Sequence, residues 1–409
     1  MKILYLTFYY KPDLCAGSFR AESFIKSLGG KINKDDKIDI ITTTPNRYDS
    51  YSKKFNNLSG IEKSGNVSIN RIQLNNHGGS FFKLAKQFIK FYYKALKISK
   101  SENYDVIIAT SSRFFTAYLG YKIAKKRKNP LFLDIRDIFV ETIYDVTKNM
   151  KLRYPIKVFL WILVLVEKRT ISYASQINLV SPGFNSYYEK ILGSSRKITN
   201  FTNGIDKLFL ARGTTLKVAV NKKDDKQLNI LYAGNLGASQ ALSKIIPYLD
   251  DNFNEKINFN IIGSGSAQEL LVEKIKEKKV MFVNIYEPLP REQLISKYDT
   301  ADILFLHLDK KDAFKKVLPS KIFEYAVFGK PIIAGVDGYF ADFLKKEIPW
   351  AFVFEPCNVA QLNKILNSFV EKGMPLIDMK KVELFVQKYK RSEIMDRYVN
   401  IICENMNVI

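Results

Sequence analysis

The sequence predicts an α/β protein with two doubly wound, Rossmann-like domains in tandem. Apolar, β-rich runs bounded by turn residues recur along the chain, most of them apolar on both faces, as strands of a covered parallel sheet must be. Segments of helical period lie between most of these runs, the alternation that builds parallel sheets with helices on both sides. A length of 409 residues with 46% hydrophobic content supplies two buried cores.

Taken in order, the first-half strands are KILYLTF, KIDIITTT, VSINRIQL, DVIIAT, PLFLDIR and QINLVS. The second set is KITNFTNG, LNILYAGN, INFNIIGSG, KVMFVNIY, ADILFLHL, KPIIAGV and AFVFEP. Helical periodicity marks Ala21–Leu28, Leu84–Ile98, Phe115–Lys126, Ile156–Ala174, Gln268–Lys276 and Arg291–Asp299. Between Tyr188 and Thr199 glycine, serines and charge interrupt the pattern, which places the domain boundary there. The expected domains are 1–190 and 191–389, with a last helix over 390–409 completing the first.

Several function classes lose their material. Cys15, Cys357 and Cys403 are far apart and form no CxxC pair, so neither a disulfide framework nor a zinc site is expected. His77 and His307 are the only histidines, too few for a histidine-based metal cluster. The N-terminal run is broken by Tyr9, Tyr10, Lys11 and Pro12 before any signal-peptide core forms. The longest apolar run, Val158–Val166, falls well short of the roughly 20 residues needed to span a bilayer.

Ligands of open parallel sheets bind at the carboxyl ends of strands, so the turns after each strand carry the functional reading. These are Lys11–Arg20, Thr110–Arg113 and Ile135–Asp137 in the first half, then Gly234–Gln240, Gly263–Gln268, Tyr286–Pro290 and Val317–Gly338. GSGS at Gly263–Ser266 lets backbone N–H groups approach a phosphate, and a tight turn explains its two glycines equally well. GNLGASQ makes the same offer after LNILYA. In VLPSKIFEYAVFGKPIIAG, Pro319 and Ser320 open a helix, with Ser320 as N-cap or first-turn residue. Lys321 and Glu324 then share one face. A lysine in a first turn opposes the helix dipole, which an anionic ligand would offset; the competing reading is a surface ion pair.

The order LYAGNLG, IIGSGSAQELL, YDTADILFLHL, PSKIFEYAVFGKPIIAG resembles the donor domain of retaining GT-B glycosyltransferases of family 4, and FYYKPDLCAGSFRAESF, LFLDIRDIFVE, ASQINLVSPGF and NFTNGID extend the resemblance over the first half. It looks closest to the bacterial subgroup that builds O-antigen, capsule and exopolysaccharide units. The resemblance implies a GT-B fold with a cleft between an acceptor domain and a donor domain. It implies hexosyl or N-acetylhexosaminyl transfer from a nucleotide sugar, expected to be UDP-linked, to a polyprenyl-diphosphate-linked or saccharide acceptor. No cofactor or metal is expected.

Residue by residue, the resemblance places Lys321 and the Asn235–Gly237 turn at the diphosphate and Glu324 at the ribose, with Gln240, Gly263, Ser264, Gly265, Pro288 and Ser320 completing the donor site. Gly17 would let its backbone approach sugar or phosphate. Arg20 could reach the same charge or pair with Glu22 or another neighbour. Asp137 is the candidate for positioning the acceptor hydroxyl, kept ionised by Arg136, with a surface ion pair as the other reading. Two departures stand out. The family pattern of Glu, seven residues, Glu finds Lys316 where the first acid should be, and Arg136-Asp137 occupies the neighbourhood of the acceptor-side histidine.

The net charge is +23, and residues 1–190 hold 32 Lys and Arg against 15 Asp and Glu. Such asymmetry points to an anionic partner. In KLAKQFIKFYYKALKISK, Lys83, Lys86, Lys90, Lys94 and Lys97 form one helical stripe beside Leu84, Phe88, Phe91, Tyr92 and Ala95. The expectation is a cytoplasmic protein held peripherally on the anionic inner face of the membrane; the alternative is a helix packed on its own sheet. Two other functions share some features, a GT-B-like sugar-nucleotide epimerase and a basic nucleic-acid-binding protein. The second lacks any RNP, KH or recognition-helix motif, and nucleic acid is not an expected partner.

Overall fold

The computed structural model describes residues 1–46, 58, 60–74, 81–111, 114–147, 153–194, 197–213 and 227–407. His77, Ser112 and Arg113 lie outside them, and the side chains of Lys83 and Leu84 are likewise not described. The chain divides into two compact units, Met1–Asn203 with Arg391–Ile409, and Gly204–Lys390.

Unit 1 is an eight-stranded sheet in the order β3-β4-β2-β1-β5-β6-β7-β8. Its strands are β1 (Lys2–Leu6), β2 (Lys37–Thr43), β3 (Gly60–Ser64), β4 (Val67–Ile72), β5 (Val106–Thr110), β6 (Leu131–Ile135), β7 (Gln176–Leu179) and β8 (Ile198–Thr199). The helices are α1 (Ala16–Gly29), α2 (Phe81–Lys100), α3 (Phe114–Arg127), α4 (Phe139–Thr147), α5 (Arg153–Tyr173), α6 (Asn185–Leu192) and, after the chain returns, α14 (Arg391–Asn407). Ile3, Leu4, Ile107, Ile108, Leu131 and Leu133 have no more than 1% exposure, as central strands covered on both faces should. α14 packs on α1, where Phe24 meets Tyr398 at 5.3 Å between ring centres.

Unit 2 is a six-stranded, all-parallel sheet in the order β11-β10-β9-β12-β13-β14. The strands are β9 (Leu228–Ala233), β10 (Ile257–Ile262), β11 (Val283–Tyr286), β12 (Ile303–His307), β13 (Ile332–Gly335) and β14 (Ala351–Phe354). The helices are α7 (Lys207–Gly213), α8 (Gln268–Glu277), α9 (Arg291–Thr300), α10 (Lys321–Tyr325), α11 (Gly338–Glu347), α12 (Val359–Lys372) and α13 (Met379–Lys388). One apolar cluster around Leu304, Tyr325 and Phe340 and another around Phe259, Phe305 and Leu362 hold the two sets of helices to the sheet.

Four features of the structure go beyond the sequence reading or decide between its alternatives. β3 is antiparallel to β4 at the sheet edge. β8 pairs with β7, so the strand expected to open the second domain belongs to the first sheet, and the change of unit falls after Asn203. β9 and β10 are joined through 3-10 turns at Leu242–Lys244, Ile246–Tyr248 and Asp251–Phe253; Pro247 lacks the N–H a longer helix would use. The apolar stripe of α2 faces inward. Phe91 and Ala95 are fully buried, and Phe8 lies 6.0 Å from Phe88 and 5.2 Å from Phe91 between ring centres. The described part of that stripe is buried or half-buried, while Lys86, Lys90, Lys94 and Lys97 are exposed.

Candidate functional site

In unit 2, Val317, Leu318 and Pro319 lead from a 3-10 turn at Asp312–Lys316 into α10. Ser320 already has helical angles and makes no side-chain cap bond, so it is a first-turn residue. α10 tightens into a 3-10 turn at Ala326–Phe328 and closes at Gly329 in the left-handed region, where a side chain would also strike Met379. So short a helix has little dipole to oppose Lys321; Glu324 supplies the compensation. The Lys321 Nζ lies 2.9 Å from Glu324 Oε2 and donates to the Tyr298 hydroxyl at 3.3 Å. Tyr298, from α9, donates to Glu324 Oε2 at 3.4 Å.

The pair is therefore more than a solvated i, i+3 contact. Glu324 is buried, and the Lys321 side chain is 26% exposed. Burial pushes the Lys321 ammonium down, and the charge and hydrogen bond of Glu324 together with the nearby Tyr325 and Tyr232 outweigh it, leaving it above its ordinary range. Burial and the Glu324 charge drive Tyr298 far up, so this hydroxyl keeps its proton. Tyr325 anchors the helix from below, accepting the Ala233 N–H at 3.0 Å. That bond ties α10 to the end of β9.

The turn after β9 is built around one amide. Gln240 Oε1 accepts from Asn235 Nδ2 at 3.0 Å, the Gly237 N–H at 3.3 Å and the Ser239 hydroxyl at 3.1 Å. The GSGS turn packs directly on this loop. Gly263, with φ of +151°, would place a Cβ 1.8 Å from the Gly234 carbonyl oxygen, and a Cβ on Gly265 would come within 2.7 Å of the Leu236 backbone. The Gly263 N–H donates to Tyr286, and Ser264 accepts from Leu236. The phosphate reading of Gly263 gives way to backbone packing, because its donor is already used and its missing side chain admits the neighbouring loop. Pro288 lies in the turn after the edge strand β11. Lys316, at the family's first acidic position, ends the 3-10 turn that precedes α10.

His307, at the end of β12, is 1% exposed. Its Nε2 accepts the Cys357 N–H at 2.9 Å and its Nδ1 lies 2.7 Å from the Gln240 carbonyl, so Nδ1 carries the proton. Burial lowers its pKa to about 4, and the neutral ring fixes the Gln240 loop. Beyond it, the buried Asp309 carboxylate meets Lys244 at 2.7 Å. Tyr298, His307 and Asp309 escaped the sequence reading. The one signal was the position of His307 and Asp309 at the end of an apolar strand.

In unit 1, Arg20 is 1% exposed. Its Nε and Nη2 each lie 2.8 Å from an oxygen of Asp134, and it donates to the Thr202 and Phe201 carbonyls at 2.6 and 2.9 Å. The donor-site role and the pairing with Glu22 both give way: Arg20 is structural, and Glu22 meets Lys11 at 3.3 Å. Arg136 turns toward the Ala16 carbonyl and Asn203 Oδ1, each at 3.3 Å; burial lowers its pKa and the Asp134 charge opposes that. Asp137 is exposed, and its carbonyl accepts from Tyr188 at 3.4 Å. Gly17, the second residue of α1, stands next to the Ala16 carbonyl that Arg136 contacts.

The match that bears on this geometry covers most of unit 2. Residues 214–385 match the model of glycosyl transferases group 1. Solved structures share the fold of the entire chain. HepE of Anabaena, in complex with UDP and glucose, is 15% identical, with 98% of this chain and 99% of that one covered and a TM-score of 0.65. Sucrose-phosphate synthase of Thermosynechococcus elongatus is 14% identical over 100% of both chains, with a TM-score of 0.71. WaaG, a glycosyltransferase involved in lipopolysaccharide biosynthesis, is 11% identical over 98% of this chain and 99% of that one, with a TM-score of 0.67. No curated protein matches the sequence. The two α/β units have the GT-B layout, and with the group 1 match they indicate a glycosyltransferase.

Proposed function

We propose that this protein transfers a sugar from a UDP-linked donor to a lipid-linked or saccharide acceptor in the assembly of a bacterial surface polysaccharide such as O-antigen or capsule, with retention of configuration and without a metal. The observation that carries the donor reading is the Lys321–Glu324–Tyr298 group beside the ends of the unit 2 strands. Departure of a nucleoside diphosphate leaves new negative charge on its oxygens, and a fixed cation stabilises that charge most where water is scarce. Lys321 is such a cation. Glu324 accepts the ribose hydroxyls, and Ser320, Asn235, Gly237, Gln240, Ser264, Gly265 and Pro288 line the rest of the donor site. HepE, seen with UDP and with UDP-glucose, supports the choice of nucleotide.

In unit 1 the proposal assigns Asp137 to the acceptor hydroxyl, with Arg136 and Gly17 offering a cation and a side-chain-free backbone near the end of β6 and the start of α1. The bond from the anomeric carbon to the diphosphate breaks, the acceptor oxygen takes its place, and the hydroxyl proton leaves with the diphosphate or to solvent. The protein works as a peripheral component of the cytoplasmic face of the membrane, where a polyprenyl-linked acceptor resides. Product analysis with a panel of UDP-sugars, with and without EDTA, tests the reading. Transfer that survives EDTA and falls sharply in Glu324→Ala is expected; activity lost in EDTA and restored by manganese would overturn metal independence.

A further inference from the structure

The helices on one face of unit 1 carry an unbalanced surface. α2, α3 and α5 each lead from one strand to the next in the same direction across the sheet, β4 to β5, β5 to β6 and β6 to β7, so right-handed crossovers lay all three on one side. α3 packs on both α2 and α5. Lys86, Lys90, Lys94, Lys97 and Lys100 of α2 are exposed, α3 presents Lys122, Lys125 and Lys126, and α5 presents Lys157, Lys168 and Arg169. In residues 81–100, 114–127 and 153–173 the only acid is Glu167, and it is buried; α4, which packs on α5, adds Glu141 and Asp145, both half-buried. The helices α1 and α14 differ: Glu22, Glu393, Asp396 and Glu404 are interleaved with their cations.

On α5 this basic surface surrounds an apolar band. Trp161 is 63% exposed and Val158, Phe159, Ile162 and Val164 are between 44% and 52% exposed. Lys157, Trp161, Val164 and Lys168 fall at helical spacing, so a cation closes each end of an apolar stripe. No helix of the described residues is long and apolar enough to cross a membrane. A helix of this kind lies flat in a bilayer interface, its rings among the upper acyl chains and its lysines reaching the headgroups.

We propose that the α2–α3–α5 face docks on an anionic lipid bilayer through the α5 band of Phe159, Trp161 and Ile162, with the α2 and α3 lysines on the headgroups. This rests on the membrane reading above and assigns the inserted surface to α5, since Phe91 and Ala95 on the apolar side of α2 are core. Charge selects the occupant. A second copy would set like charges face to face, and a nucleic acid would satisfy the lysines while leaving the apolar band in water.

The chain has two tryptophans, and the other, Trp350, is buried in unit 2, so Trp161 is a built-in reporter. The full chain is titrated with vesicles of phosphatidylcholine alone, with vesicles containing phosphatidylglycerol, and with a single-stranded oligonucleotide, reading tryptophan emission and co-sedimentation. A saturable blue shift with the anionic vesicles is expected, several-fold weaker at high salt and absent from Trp161→Phe. The exposed-site variant Phe159→Ser/Trp161→Ser should sediment at least tenfold more weakly while keeping its thermal shift with UDP. That thermal shift reads the donor site separately, so loss of one property does not implicate the other. No shift with anionic vesicles at low salt, an equal shift with the oligonucleotide, or a concentration-dependent shift of a dimer without lipid would overturn the proposal.

Discussion

Each unit places a cation and a carboxylate together near the strand ends of its sheet, and the two pairs are used in opposite ways. Arg20 in unit 1 is held bidentately by Asp134 and capped by two backbone carbonyls, with both side chains under 10% exposed. The Lys321 ammonium in unit 2 spends two of its three donors on Glu324 and Tyr298, and its side chain remains partly open. A buried guanidinium fixed by four hydrogen bonds marks a structural pair, and a partly exposed ammonium with a donor to spare marks a ligand site. Sequence alone left Arg20 open between the same donor charge and a structural ion pair.

The largest effect that would sharpen this contrast is in unit 1. Asp134→Ala strands a buried guanidinium and should cost about 3–5 kcal/mol of stability, read as a lower urea midpoint. Lys321→Ala should lower the urea midpoint much less, because Tyr298 still donates to Glu324, and reduce transfer by roughly 10²–10³-fold. If the two variants lose stability alike, the distinction between them fails.

A smaller effect follows from the two glycine turns. Gly263→Ala forces a positive φ and a clash with the Gly234 carbonyl, an expected loss of about 1–3 kcal/mol. Unfolding curves superimposed on wild type would show that the two loops do not pack as described.

The smallest expected effect is a pH dependence in unit 1, the one with the larger net positive charge. Burial, reinforced by the Asp137 and Glu141 charges, raises the Glu167 carboxyl to about 7, while Tyr187 donates to it. In the folded state Glu167 thus holds a proton that the unfolded chain has released, so its contribution to stability falls as pH rises from about 4.5 to about 7 and is level above that. Glu167→Gln, which imitates the protonated form, should melt a few degrees closer to or above wild type at pH 8 than at pH 5. An offset that does not change with pH would contradict the raised pKa.

What was legible in the sequence was local. Helices α1, α2, α3, α5, α8 and α9 were read, with α1 starting earlier than its periodicity showed, while α4, α11, α12 and α13 were not; the Lys321–Glu324 pair was visible because its partners sit one turn apart. β3 was missed because GIEKS has no apolar face, its residues being mostly exposed. Arg20 was misassigned because its partner lies 114 positions away, a distance no spacing rule covers. Tyr298, 23 positions from Lys321, was missed for the same reason. The glycines of GSGS illustrate another limit: the close approach of a backbone and that of a phosphate demand the same absent side chain.

The central claim is that the partly open ammonium of Lys321 receives the diphosphate of a nucleotide sugar. Its most direct test is the melting temperature of wild type and Lys321→Ala titrated with UDP and, separately, with uridine, since a ligand that binds only the native state raises that temperature with concentration. The account predicts that UDP stabilises wild type far more than uridine does, and that Lys321→Ala loses most of the difference while melting near wild type without ligand. Equal stabilisation of both proteins by UDP, or none in wild type at millimolar UDP, would contradict it.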